Sequence, residues 1–85
     1  MAGQRRSYVE PIYPEEARAE RVGGTVVLDV FVGPDGAVER AVPISGPEVL
    51  RQSATDAVKR WTYKIYLLNG QPTAVETTVV VNFRV

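Results

Sequence analysis

Two long segments of the chain alternate between apolar and polar positions, which is the pattern of half-buried β-strands. The first covers residues 25–32 and places Val26, Leu28, Val30 and Val32 on one face. The second covers residues 73–85 and is rich in Val and Thr. One face of this second segment carries Val75, Thr77, Val79, Val81, Phe83 and Val85. The other carries Glu76, Thr78, Val80, Asn82 and Arg84.

Two turn signals add further strands to this pattern. Gly33-Pro34-Asp35-Gly36 contains the Asp-Gly pair typical of tight hairpins, and it predicts an antiparallel strand over residues 37–44. In that strand, Val38, Val42 and Ile44 are expected to share one register. Asn69-Gly70 is the strongest hairpin signal in the chain, and it follows an alternating stretch over residues 62–68. The sequence therefore predicts two hairpins.

A short first helix is predicted over residues 14–22. Pro14 suits the first turn of a helix. Glu15 and Glu16 follow it and Arg18 comes later, which is the charge order that complements the helix dipole. Gly23-Gly24 is expected to end the helix.

A second helix is predicted to follow Ser45-Gly46-Pro47-Glu48 and to run to about Arg60. Ser45 and Glu48 have the spacing of a capping box. The apolar and small residues that follow step by three and four and form one stripe: Val49, Leu50, Ser53, Ala54, Ala57, Val58 and Trp61. Trp61 ends this stripe, so its ring is expected between the second helix and the sheet.

These elements predict an α+β fold built as a two-layer sandwich. Its antiparallel sheet has three to four strands, and both helices lie on one face of the sheet, which buries both apolar stripes at once. Residues 1–9 are expected to be a flexible or extended lead-in, and residues 10–85 to form the domain. If the last strand is paired on one side only, it presents a row of free N–H and C=O groups. Such an edge either has no function of its own or binds an extended peptide as an additional strand.

Composition narrows the possible functions. The chain has 85 residues, ten Lys+Arg against ten Asp+Glu, and neither His nor Cys. No disulfide, thiolate–imidazole zinc site or His-based acid–base machinery can form within it. An enzyme is therefore not expected, and no cofactor is expected either. The balanced charge also argues against a phosphate-binding footprint.

The remaining candidate motifs have plainer interpretations. Glu15, Glu16 and Glu20 suit the start of a helix better than a metal or catalytic site. Asp35-Gly36 lacks the other ligands of a calcium loop and is interpreted as a turn. The segment 59–64 mixes basic and aromatic residues, as nucleic-acid surfaces do, but Trp61 falls on the apolar stripe. Trp61 and Tyr63 are therefore assigned to the core.

An ordered set of motifs runs through nearly the whole chain. It comprises Pro11-x-Tyr13-Pro14 with Ala17, Gly24-x-Val26, Val32-x-x-Asp35-Gly36-x-Val38, Ser45-Gly46, Leu50, Ala54, Ala57-Val58, Trp61, Tyr63-Lys64 and Val79-Val80-Val81-Asn82-Phe83. Over about residues 9–84, this set resembles the C-terminal periplasmic domain of TonB-type energy transducers.

The resemblance implies a periplasmic binding module without catalytic residues, metal or cofactor. In the family, an inner-membrane anchor and a Pro-rich spacer precede the domain, and the proton-driven ExbB-ExbD motor supplies force. The domain grips the TonB box, a short extended segment of outer-membrane receptors, which adds as a strand to the domain's last strand. By resemblance, the partner-binding residues here are Glu10, Pro11, Ile12, Thr78, Val79, Val80, Val81, Asn82, Phe83 and Arg84. The anchor and spacer are not part of this sequence.

Two departures from the family pattern have consequences. Some members carry Gln where this chain has Glu10. A contact that those members make through the side-chain amide is therefore not expected of Glu10. The family commonly has Pro after the Tyr-Lys pair, where this chain has Ile65. Because Pro interrupts a strand and Ile does not, the strand over residues 63–68 is expected to be longer than usual. A longer strand would extend the hairpin, or favour exchange of strands between two copies and hence a homodimer.

Two alternatives from other functional classes remain open at this point. One is a basic-aromatic nucleic-acid module on a similar α+β sheet, whose tyrosines would have to converge on the open sheet face. They would be Tyr8, Tyr13, Tyr63 and Tyr66. The other is a structural domain whose edge strand pairs with a second copy of itself.

Overall fold

The computed structural model describes residues 5–84 of the chain. The strands are β1 (Arg5–Ser7), β2 (Gly24–Val32), β3 (Val38–Ser45), β4 (Thr62–Tyr63), β5 (Tyr66–Leu68), β6 (Gln71–Thr73) and β7 (Val75–Phe83); the helices are α1 (Glu15–Ala19) and α2 (Glu48–Lys59). The start of the expected lead-in, residues 1–4, and the expected inward face of Val85 lie outside the described residues.

The central sheet has the strand order β3-β2-β7, and both of its pairings are antiparallel. β2 and β7 pair without a shift along their whole length, from Gly24 opposite Phe83 to Val32 opposite Val75. Two separate ribbons, β1 with β4 and β5 with β6, accompany this sheet. The α+β architecture expected from the sequence is confirmed.

The core lies between one face of this sheet and the helices. The alternation in β2 and β7 determines that face, because side chains two residues apart point to the same side of a strand. The buried members are Ala17, Val26, Leu28, Val30, Val32, Ala41, Leu50, Ala54, Val58, Trp61, Tyr63, Val79, Val81 and Phe83. The core positions expected for Trp61 and for the inner face of β7 are confirmed as far as Phe83.

The register expected within β3 is wrong. The pairing with β2 shifts at Glu39, an extra residue that has no partner. A bulge of this kind reverses which later side chains face the core. Ala41 is therefore buried, whereas Val42 is only half-buried and Ile44 is 53% exposed. Hydrophobic alternation does not reveal such an insertion.

α1 is shorter than the expected 14–22. It begins after Pro14, which is the N-cap with φ −60° and ψ 134°. It ends at Ala19, and Arg21 then adopts the left-handed region with φ 55°. The N–H of Val22 donates to the carbonyl of Ala17 over 2.8 Å, which closes the last turn. The chain has thus left the helix before Gly23-Gly24, and the expected glycine stop is wrong.

α2 ends at Lys59, close to the expected position, but its expected capping box is wrong. Pro47 is the N-cap and no side chain caps the helix; Ser45 is still in β3. Gly46 has φ 120°, and a Cβ there would lie 2.6 Å from the carbonyl oxygen of Thr25. Only glycine allows the backbone to approach Thr25 so closely in this conformation. Gly46 and Pro47 therefore lie between Ser45 and the first residue of α2.

The strand expected over residues 62–68 is interrupted. Lys64 and Ile65 belong to neither β4 nor β5. β4 pairs with β1, whereas β5 pairs with β6 through the Asn69-Gly70 turn, so the chain changes partner at Lys64 and Ile65. The expectation that Ile65 lengthens the strand is therefore wrong, although the Asn69-Gly70 hairpin is confirmed.

The described part of the lead-in is extended. β1 pairs with β4, and the guanidinium of Arg5 lies 4.4 Å from the ring centroid of Tyr8 and 4.5 Å from that of Trp61. Tyr8 itself contacts Trp61, with ring centroids 5.0 Å apart and ring planes tilted by 40°. The sequence of β1 is polar and carries no strand signal. The segment forms a strand because the tertiary structure places β4 beside it.

Among the helices of the described residues, none is both long and apolar enough to cross a bilayer.

Candidate functional site

β7 forms one edge of the central sheet and has β2 as its only strand neighbour among the described residues. In an antiparallel strand, successive residues turn their N–H and C=O groups to opposite sides. One alternate set of β7 backbone groups therefore bonds to β2, and the other set faces outward. Nine residues long, this edge presents an extended row of free donors and acceptors.

The two edges of the central sheet differ in a way that matters for docking. β3 forms the opposite edge, and it contains Pro43 and two shifts of register against β2. Proline and bulges are devices that prevent a further strand from pairing. β7 contains neither and pairs in constant register from end to end. A partner strand is therefore accommodated better beside β7 than beside β3.

A cleft of about 470 Å³ lies at the C-terminal end of β7. It is lined by Tyr8, Glu10, Pro11, Tyr13, Arg18, Asn82, Phe83 and Arg84. The segment before α1 thus forms one wall, and the end of β7 forms the other. This cleft, here called the docking cleft, brings together the two stretches of chain that the sequence singled out as partner-binding.

Tyr13 joins the two walls of the docking cleft. Its ring meets that of Phe83 edge to face, with centroids 5.6 Å apart. Its hydroxyl donates to the carbonyl oxygen of Val22 over 2.5 Å, and the guanidinium of Arg18 lies 5.9 Å from its ring centroid. The half-buried Tyr13 therefore fixes the spacing between the segment before α1 and the end of β7.

Residues 9–12, here called the strap, run between the docking cleft and α2. The indole N–H of Trp61 donates to the carbonyl of Val9 over 2.8 Å, and the hydroxyl of Ser53 donates to the carbonyl of Ile12. Glu10 and Pro11 line the docking cleft, but Ile12 does not. Its side chain is 78% exposed and lines a separate groove of about 360 Å³ against α2.

The expected partner-binding residues of β7 fall into two groups. Val79, Val81 and Phe83 bury their side chains in the core and leave only backbone groups for a partner. Thr78, Val80, Asn82 and Arg84 are exposed. On the open sheet face, the hydroxyl of Thr25 donates to Oδ1 of Asn82 over 2.8 Å, which fixes that amide.

Three residues of the docking cleft were not assigned to a site from the sequence: Tyr8, Tyr13 and Arg18. Tyr13 lies within the Pro11-x-Tyr13-Pro14 motif, which was the available signal. Tyr8 and Arg18 carried none, because their position depends on how the segment before β2 folds back onto the end of β7.

The tyrosines do not converge as the nucleic-acid alternative requires. Tyr63 is buried in the core with 4% exposure, Tyr8 contacts the ring of Trp61, and Tyr66 lies in the β5–β6 ribbon. Burial raises the pKa of the Tyr63 phenol, and the nearby Arg5 opposes this in part. These rings belong to the core, the docking cleft and a hairpin rather than to one stacking platform.

Across residues 5–84, no three acidic side chains lie close enough together to hold a metal ion. The site therefore offers backbone groups, aromatic rings and single charges. This chemistry suits the recognition of an extended chain.

Residues 9–85 match the family model described as the Gram-negative bacterial TonB protein C-terminal. The chain belongs to this family. No enzyme family is indicated by the matches, and the resemblance inferred from the sequence motifs is confirmed.

The curated relatives are both named Protein TonB. The protein from Vibrio cholerae is 32% identical over 78 residues, covering 89% of this chain and 32% of the relative. The protein from Klebsiella pneumoniae is 31% identical over 80 residues, covering 92% of this chain and 31% of the relative. The chain thus spans about a third of the length of these relatives.

A solved structure supports the fold. The solution NMR structure of the Pseudomonas aeruginosa TonB CTD matches with a TM-score of 0.78 at 18% identity. The match covers 96% of this chain and 85% of that one.

Proposed function

We propose that this chain is the receptor-gripping domain of a TonB-type energy transducer. It binds the TonB box of an outer-membrane receptor as an additional strand on the outer side of β7. Main-chain hydrogen bonds supply the grip, and the docking cleft receives the end of the bound segment. This mode of binding is β-augmentation.

The observation that carries the proposal is the edge of β7, which has no strand neighbour other than β2 among the described residues. It offers nine residues in constant register with no proline, whereas the opposite edge is interrupted. A backbone grip makes few demands on the side chains of the partner. It therefore suits a module that holds different receptors through one short extended segment.

Side chains around the docking cleft would select among such segments. Glu10 lies on one wall, and Arg18 and Arg84 also line the cleft, so charges of both signs surround the end of the bound strand. Charged residues at the rim of an interface act mainly on specificity and on the association rate. Glu10 in place of the Gln of some family members would change which segment is preferred.

The role in transport belongs to the whole protein. We propose, with family membership as support, that this domain lies in the periplasm and is linked through a spacer to an inner-membrane anchor and to the ExbB-ExbD motor. Pulling on the bound receptor would then couple the proton gradient to uptake. The domain itself makes or breaks no covalent bond in this scheme.

Calorimetry with synthetic TonB-box peptides tests the proposal without altering the protein. Peptides N-methylated at alternate amides would each lose hydrogen bonds on only one side of the added strand. One alternate set should bind more weakly, by up to about tenfold per lost bond, whereas the other should bind like the unmodified peptide. Equal binding by both sets would contradict strand addition.

A further inference from the structure

The strap forms a wall of the docking cleft but belongs to no helix or strand. Two side-chain donors hold it from the other side. The indole N–H of Trp61 binds the carbonyl of Val9, and the hydroxyl of Ser53 binds the carbonyl of Ile12. Ser53 lies in α2, and Trp61 follows closely after that helix.

The space behind the strap is open. The groove of about 360 Å³ between the strap and α2 is lined by Val9 and Ile12 on one side and by Val49 and Ala57 on the other. Val9 packs against the core, but the side chain of Ile12 is 78% exposed and adds little packing against α2. The two hydrogen bonds therefore contribute to the distance between the strap and α2, while the contact of Tyr13 with Phe83 ties the same segment to β7.

We infer that Ser53 and Trp61 are positioning residues of the docking cleft. By holding the carbonyls of Ile12 and Val9, they keep Glu10 and Pro11 at the distance from Asn82–Arg84 that an added strand requires. This inference rests on the proposed function, because it concerns the same bound peptide. Neither side chain needs to touch that peptide.

The expected size of the effect follows from the cost of ordering the strap. When the binding-competent conformation is only partly populated, the apparent affinity falls by that fraction. Loss of one intramolecular hydrogen bond would lower the ratio of held to released strap by about two- to tenfold. The affinity for a TonB-box peptide should fall by up to the same factor, the full factor applying where the released form predominates in the free variant.

Ser53→Ala is the sharpest variant, because Ala is a good helix former and the fold should be preserved. Ser53→Thr keeps a hydroxyl and should restore most of the affinity. Ser45→Ala serves as the matched control, since Ser45 is an exposed serine in β3 outside the cleft. Trp61→Phe removes the other donor and keeps an aromatic ring, so it should act in the same direction with some loss of stability.

Two readouts distinguish positioning from a general loss of structure. Without peptide, nitrogen relaxation should show greater mobility at Glu10 and Ile12 in Ser53→Ala, while β7 remains unchanged and the melting temperature falls only by the amount that one hydrogen bond explains. With peptide, the affinity loss caused by Ser53→Ala should shrink when Glu10→Ala is also present. A side chain that acts through the strap must show this coupling.

The outcomes are separable. We expect Ser53→Ala to bind the peptide more weakly and Ser53→Thr to recover the affinity. In both variants the peptide should still shift the amide resonances of β7. Unchanged affinity in Ser53→Ala, with the β7 shifts present, would overturn the positioning role and leave the proposed function intact. Absence of β7 shifts in the unmodified protein would overturn the proposed function and this inference together.

Discussion

Tyr13 and Phe83 meet edge to face, with ring planes at 86° and centroids 5.6 Å apart, and this contact joins the segment before α1 to the last residue of β7. Since Phe83 is buried, the contact ties the wall of the docking cleft to the core. The width of the cleft therefore depends on a residue outside β7.

Two substitutions of Tyr13 should distinguish the contribution of its ring from that of its hydroxyl. Tyr13→Phe loses only the bond to the carbonyl of Val22, and we expect a destabilisation of about 0.5–1.5 kcal/mol with peptide affinity largely retained. Tyr13→Leu also loses the aromatic pair, worth a further ~0.5–1.5 kcal/mol, and should weaken peptide binding as well. Chemical denaturation and calorimetry measure the two effects. Equal affinity in both variants would show that the ring does not shape the cleft.

Stability should fall at alkaline pH because of Tyr63. Burial raises the pKa of its phenol above the value of 10.0 that applies to the unfolded chain. The folded state therefore favours the neutral form. This contribution is fully present below pH 10 and is lost as the pH rises through the raised folded-state pKa.

Denaturant unfolding between pH 8 and 12 would measure this loss. Tyr63→Phe has no ionisable group at this position and should show a smaller decline than the unmodified protein. Tyr66→Phe, in the β5–β6 ribbon, provides the comparison. A decline in Tyr63→Phe as steep as that of the unmodified protein would assign the alkaline effect to other groups.

Ile65→Pro should be tolerated. Ile65 lies between β4 and β5 and is about half exposed, so proline there removes no pairing within either strand. Proline also favours an extended residue before it, which here is Lys64. We expect the stability to change by less than about 1 kcal/mol, the ordinary range for surface substitutions.

The same variant addresses strand exchange between copies. Since Ile65 does not lengthen a strand, its replacement by proline should leave the solution mass unchanged across concentration. Sedimentation of both forms measures this mass. A dimer that dissociates only in Ile65→Pro would restore a role for Ile65 in association.

The effect of proline at an exposed position of β7 should depend on which side of the strand the replaced N–H group faces. Thr78 and Val80 are two residues apart, so their N–H groups point to the same side of β7. Thr78→Pro and Val80→Pro must therefore behave alike. Both spare the fold and weaken docking if these N–H groups face outward, and both destabilise the fold if they face β2.

Thermal melts and peptide calorimetry on Thr78→Pro and Val80→Pro, each compared with the alanine variant, would distinguish these cases. One variant that unfolds beside one that only loses binding would contradict the regular pairing of β7.

The sequence specified the parts of the fold that depend on local periodicity. The inner faces of β2 and β7, the position of Trp61 and the Asn69-Gly70 hairpin all followed from it. β1 was missed because three polar residues become a strand only when β4 lies beside them. The bulge at Glu39 was missed because an inserted residue leaves no trace in composition.

The site was only partly predictable for a related reason. A long alternating segment predicts the strand β7, whereas its position at an edge follows only from the order of the strands in the sheet. The docking cleft cannot be recognised from the sequence, since it depends on how the strap is held against α2 by Trp61 and Ser53. Contacts such as that between Ser53 and Ile12 join residues that are far apart in sequence. Nothing in the local sequence of either residue predicts the contact.

Hydrogen exchange along β7 tests the central claim most directly. In the free protein, one alternate set of amides from Val75 to Phe83 bonds to β2 and should exchange slowly, whereas the other set faces outward and should exchange quickly. Saturation with a TonB-box peptide should slow the outward set and leave the inward set nearly unchanged. If the peptide binds and the outward amides still exchange quickly, β7 is not the docking strand.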